Sequence, residues 1–137
     1  MVTKEPIYSG ARGGTGLLRA ALKLDAVASG GVGALLLALG GPLADPLGPP
    51  AGFLRAVGVF LLGWAMAVWL VGARPRVAGP AAWAVIMGNL LWVAGSVALV
   101  VAGWVSLTAL GVGFVLAQAA VVALFAESQL VGLRRAA

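Results

Sequence analysis

The chain has 137 residues with a net charge of +5, and it contains no Cys and no His. That excludes disulfides, thiol redox chemistry, zinc sites of the Cys/His type, His-ligated haem, and Cys or His as nucleophile or general base. Apolar residues make up 62% and charged residues 9%, with a mean hydropathy of +1.08, so polar material is too scarce to cover a soluble globule.

Taken in chain order, residues 1–16 are polar and Gly-rich and read as a flexible cytoplasmic arm. The apolar run that follows is too long for the core of a cleavable signal peptide. It forms a first span over residues 17–40, ended by GGPLADPLGPP at 40–50, whose four prolines oppose helix continuation. A second span covers 53–72 and is ended by ARPRVAGP at 73–80. The third covers 81–102 and the fourth 105–126, joined by a very short turn at Gly103 and Trp104. Residues 128–137 read as a basic cytoplasmic tail in which Arg134 and Arg135 balance Glu127. Each span has about 20 residues or more, enough to cross about 30 Å of hydrocarbon as helix. The runs are continuous rather than alternating, which excludes a transmembrane β-barrel. The expected fold is all-α, a transmembrane four-helix bundle.

Charge sets the expected orientation. Lys4, Arg12, Arg19, Lys23, Arg74, Arg76, Arg134 and Arg135 fall on one side and only Arg55 on the other. The positive-inside rule then places both termini in the cytoplasm, in a multi-pass protein of the cell membrane. Trp69 and Trp83 sit near the inner boundary and Trp104 at the outer one, whereas Trp64 and Trp92 lie deeper, as packing residues. The basic residues flank apolar runs instead of sharing one polar face, so the partner they indicate is the lipid bilayer and not nucleic acid.

Two stretches suggest an internal repeat. LRAVGVFLL at 54–62 aligns with LTALGVGFV at 107–115, and the first span aligns with the third so that Asp25 falls on Asn89. The chain then reads as two tandem helical hairpins related by an axis along the membrane normal. In the first span, Ala26, Gly30, Ala34 and Ala38 recur every four positions, and Ala94, Ala98 and Ala102 repeat the pattern in the third. Small residues let helices approach closely in lipid, so this stripe is expected to pack within the bundle, with a dimer face as the alternative.

Asp25 lies inside the first span. A carboxylate at the centre of a span costs about 2.5–3.5 kcal/mol to insert, so it should face other helices. Asn89 and Gln118 fall at similar depth, with Ser29 one turn from Asp25, and these four form a candidate buried polar cluster. It would serve either as a proton or cation site titrating at Asp25, or as a hydrogen-bonded lock. In the second case Asp25 pairs with Asn89, or with Lys23, Arg19 or a headgroup. GARGGTG at 10–16 is Gly-rich but lacks the Lys-Ser/Thr ending of a phosphate loop. No catalytic, metal or cofactor constellation is present.

The phrases LDAVASGGVGALLLALGG and LRAVGVFLLGW, with the hairpin repeat, resemble small four-helix integral membrane proteins of actinobacteria, DoxX-like in architecture. The resemblance covers most of residues 17–133 and implies a fold but no activity or site residue. Small multidrug transporters also have four helices with an acid in the first. This chain departs from them in having Asp25 where they have Glu, with no aromatic cage evident around it. The expected role is a non-enzymatic packing or accessory subunit, acting in a homo-oligomer or a larger membrane complex. The alternative is a small oligomeric transporter or channel with Asp25 as coupling site.

Overall fold

The computed structural model describes residues 5–136, with side chains from residue 14 onward. Four helices account for nearly all of it: α1 (Glu5–Leu47), α2 (Ala51–Ala73), α3 (Gly79–Ala102) and α4 (Ala109–Ala136). Each contains a stretch long and apolar enough to cross a membrane. Large apolar side chains point outward on every helix: Leu24 is 61% exposed, Met66 68%, Leu91 70% and Leu124 62%. Such a surface is stable only where hydrocarbon is the solvent. The chain is a multi-pass four-helix membrane protein.

Three boundaries differ from the sequence expectation. First, α1 begins at Glu5 and not near Leu17, so residues 5–16, including GARGGTG, are helical rather than a loose arm; Lys4 and the side chain of Arg12 lie outside the described residues. Second, α1 runs through Pro42 and Pro46 to Leu47. A proline inside a helix removes one N–H, and the freed polar groups must find other partners. The carbonyls freed by the prolines are those of Ala38 and Pro42; Thr108 instead meets the open carbonyls at the end of the helix, where its Oγ1 donates to Pro46 O at 2.5 Å and its backbone N donates to Leu47 O at 3.0 Å. Gly48, at φ 110°, then ends the helix and donates to Ala44 O at 2.7 Å. Third, the last turn is longer than expected, with α4 starting only at Ala109, and α4 continues past Glu127 to Ala136. Residues 128–136 are therefore helix, not tail. Thr108 also caps this helix, since Gly111 N donates to its Oγ1 at 3.0 Å.

In the bundle α1 packs along both α2 and α4, and α3 packs along α4, while α2 and α3 barely touch. Two equal hairpins related by a two-fold axis would make the α1–α4 and α2–α3 pairs alike, and they are not. The tight α1–α2 pairing has a local cause. A Cβ on Gly58 would sit 2.6 Å from Gly33 O, and one on Gly33 would sit 2.8 Å from Gly58 O. The two backbones therefore lie in direct contact, which only paired glycines permit.

The N-terminal part of α1 and the end of α4 share one end of the bundle with the α2–α3 connection. There Gly14 of α1 lies against Arg135 and Ala136 of α4, and Arg19 donates to Gly72 O and Arg74 O at 2.6 Å and to Pro75 O at 3.2 Å. The guanidinium thus covers open carbonyls at the C-terminus of α2, where a cation is favoured. Lys23 sits 5.2 Å from the ring centre of Trp69. The opposite end joins Leu47 and Gly48 to Thr108 and Gly111.

The stripe of small residues follows the packing only in part. Ala26 is buried and Gly30 half-buried, where a Cβ would lie 3.4 Å from Ala65. Ala34 and Ala38 are exposed, because the α1–α2 contact uses Gly33 one position earlier. On α3, Ala94 and Ala102 are exposed and Ala98 is half-buried.

Candidate functional site

Asp25 is completely buried, and its carboxyl oxygens are met from three helices. Ser29, one turn along α1, donates to Oδ1 at 3.1 Å. Asn89 of α3 donates to Oδ2 at 2.8 Å, and Gln129 of α4 donates to the same oxygen at 2.8 Å. Asn89 donates its second N–H to Gln129 Oε1 at 3.1 Å, which closes a ring of side chains. Asn89 is 2% exposed and Gln129 0%.

Every donor that reaches Asp25 is neutral. The neighbouring cations of α1 are engaged elsewhere, Arg19 on the end of α2 and Lys23 over Trp69, so neither pairs with Asp25. The carboxyl oxygens accept in each case. No buried side-chain nitrogen or oxygen among the described residues lacks a partner. A polar network buried in apolar surroundings is stabilising only when each member is satisfied, and this one is. Nonpolar packing surrounds it, with Leu18, Leu22, Ala26, Val68, Ala82 and Val85 forming the adjoining core.

Of the four residues expected to cluster, Asp25, Ser29 and Asn89 come together and Gln118 does not. Gln118 accepts from Trp92 Nε1 at 2.7 Å and donates to Ser96 Oγ at 3.0 Å and to Val115 O at 2.7 Å, which makes a second polar knot between α3 and α4. Gln129 takes the place foreseen for Gln118. The sequence expectation ends the fourth span at Ala126, which leaves Gln129 outside it. A signal was present: the buried face of α4 runs Ala119, Ala126, Gln129, Gly132, so the small-residue stripe carries on past Glu127 with Gln129 within it.

Beside the network is a cavity of about 370 Å3, lined by Ser29 and Asn89 on one wall and by Phe60, Trp64, Trp92 and Phe125 on others. Asp25 does not line it; it stands one layer behind. Phe60 and Trp92 stack at 5.6 Å with planes 9° apart, and the ring of Trp64 covers Gly88. Aromatic side chains distant in sequence thus gather next to the polar network, which chain order concealed. Among the described residues no group of acidic side chains could hold a metal ion.

No family model matches the chain, and no curated protein or solved structure is similar to it.

Proposed function

We propose that the protein is a non-enzymatic subunit of the cell membrane that acts by helix–helix contact, packing against a second copy or within a larger membrane complex. One observation supports this most. Asp25, the only acid among the residues singled out for chemistry, is fully buried and engaged by Ser29, Asn89 and Gln129. Its role is to hold α1, α3 and α4 in register, and the outward small residues Ala34, Ala38, Ala94 and Ala102 are the places where another helix can approach. Both termini are cytoplasmic in this reading, because the end of the bundle that holds them carries Arg19, Arg74, Arg76, Arg134 and Arg135.

The absence of Cys makes the test direct. Ala34→Cys and Ala38→Cys, oxidised gently in membranes, should give cross-linked species that outward-facing Met66→Cys does not. A protein that stays monomeric in a bilayer and cross-links from none of the three positions would end this reading. A second reading, a small transporter or channel coupled at Asp25, draws on the cavity beside Ser29 and Asn89. Liposomes with the wild-type chain should then pass protons or cations at a rate that Asp25→Asn reduces; equal or absent flux in both removes it.

A further inference from the structure

Among the described residues Arg55 is the only cation at the end of the bundle where α1 joins α2 and α3 joins α4. On α2 no charge separates it from Arg74, about 28 Å further along by helical rise. That is close to the thickness of the hydrocarbon layer, about 30 Å, so Arg55 stands at its edge. The side chain is laid across a two-glycine step of α1. A Cβ on Gly40 would lie 2.7 Å from its Cγ and 3.4 Å from its Nε, and a Cβ on Gly41 would lie 3.1 Å from its Nη2. The stem thus runs over bare backbone, with Gly40 buried beneath it while Arg55 itself is exposed. Because α1 climbs toward this end, the step from Gly40 to Gly41 carries the guanidinium outward, away from the hydrocarbon. Helical side chains also lean toward their own N-terminus, and that of α2 lies at this end. The guanidinium meets no hydrogen-bond or ion-pair partner among the described residues, and Asp45, at the same end, does not pair with it.

We infer that Arg55, held on Gly40 and Gly41, binds the phosphate group of a membrane phospholipid at this edge of the bilayer. A guanidinium stays charged throughout the physiological range and offers paired N–H groups that match two oxygens of a phosphate. The glycine step already confines the stem, so less side-chain freedom is lost when an anion binds the head. Depth selects the anion. A basic side chain at the end of a span keeps its stem along apolar surface and its head among the lipid headgroups, where every phospholipid presents a phosphodiester. No acid of the bundle competes for it. A carboxylate on a second copy of the chain would need that copy seated at this end, whereas the lipid is there in any bilayer. Phosphates border both leaflets, so the inference holds whichever end faces the cytoplasm. It goes beyond the packing role proposed above and does not rest on it.

The test reads lipid contact at this one place. The protein is reconstituted with phosphatidylglycerol carrying a photoreactive diazirine on its headgroup, and labelled peptides are mapped by mass spectrometry. Labelling around Gly41 and Arg55 is scaled to that around Arg74 at the opposite end, which corrects for loss of folded protein. Arg55→Gln should lower the scaled labelling about fivefold. Arg55→Lys should fall between, because the charge stays and the paired N–H groups go. Gly41→Leu keeps Arg55 but fills the place of its Nη2, so it should lower the labelling too. Gly63→Leu, in open space on the same helix as Arg55, should not. A galactolipid with the same acyl chains and photoreactive group, but no phosphate, should label wild type and Arg55→Gln alike. Inorganic phosphate, against chloride of equal ionic strength, should leave the labelling unchanged; if it abolishes the labelling, the site belongs to a free anion and the lipid assignment falls. Equal labelling in wild type, Arg55→Gln and Gly41→Leu would overturn the proposal, as would an Arg55 dependence shared by the galactolipid. An oligomer that Arg55→Gln dissociates while labelling persists would overturn it in favour of a carboxylate on a second copy. The Ala34 and Ala38 cross-links bear on none of these readings, so the two proposals fail separately.

Discussion

Asn89 donates to Asp25 at 2.8 Å although the backbones of α1 and α3 make no close approach to each other. The side chains alone bridge these two helices. With Gln129 of α4 completing the ring, one polar network ties α1 to α3 beside the apolar core that Leu18, Leu22, Ala82 and Val85 share.

Removing one member of that ring should cost more than its share. Asn89→Ala deprives Asp25 and Gln129 of a donor in a buried place, and a destabilisation of about 1–3 kcal/mol is expected. The double variant Asp25→Ala, Asn89→Ala should lose less than the two singles added. Reversible unfolding in mixed micelles measures the cycle; membrane hydrogen bonds measured this way are worth about 0.6 kcal/mol on average and up to about 1.7. Strict additivity would show that the bond has no energetic weight.

The two glutamines should behave as separate sites. Gln129→Leu is expected to loosen the contacts of Asp25 and leave the indole of Trp92 undisturbed. Gln118→Leu should free Trp92 Nε1 and shift tryptophan fluorescence, with no coupling to substitutions at Asp25. A strong energetic coupling between Gln118 and Asp25 would contradict this division.

Paired glycines set the α1–α2 distance. Gly58→Ala places a methyl group 2.6 Å from Gly33 O, so the helices must move apart, at an expected cost of about 1–3 kcal/mol. Gly52→Ala, in open space on the same helix, should cost nothing or stabilise slightly. Equal stabilities for these two variants would refute the close packing.

Thr108 ties two helix ends together. Thr108→Ala removes its bond to Pro46 O and its cap on Gly111 N, and should cost about 1–2 kcal/mol. Hydrogen exchange should quicken at the start of α4 while the Asp25 end stays protected.

Orientation can be read with a membrane-impermeant thiol reagent on intact cells. Arg76→Cys should stay unlabelled and Asp45→Cys should react, because Arg76 lies in the α2–α3 connection and Asp45 in the last turn of α1, at opposite ends of the bundle. The reverse pattern would place the termini outside.

The number of spans, their helical nature and the buried destination of Asp25 were legible in the residues alone. Each is a local property: an apolar run of sufficient length has nowhere to satisfy its backbone in hydrocarbon except along its own helix, and an acid within it must turn inward. Which partners Asp25 meets was not local. Asn89 could be matched by depth, but Gln129 required knowing that α4 continues past Glu127, and Gln118 was drawn to Trp92 by the rotation of α4 about its axis. The same holds for Gly33 taking the contact foreseen for Ala34, and for the opening between α2 and α3. In lipid, apolar faces differ little in their affinity for one another. Close fits between specific side chains and backbones therefore decide how helices meet, and these exist only once the chain is folded.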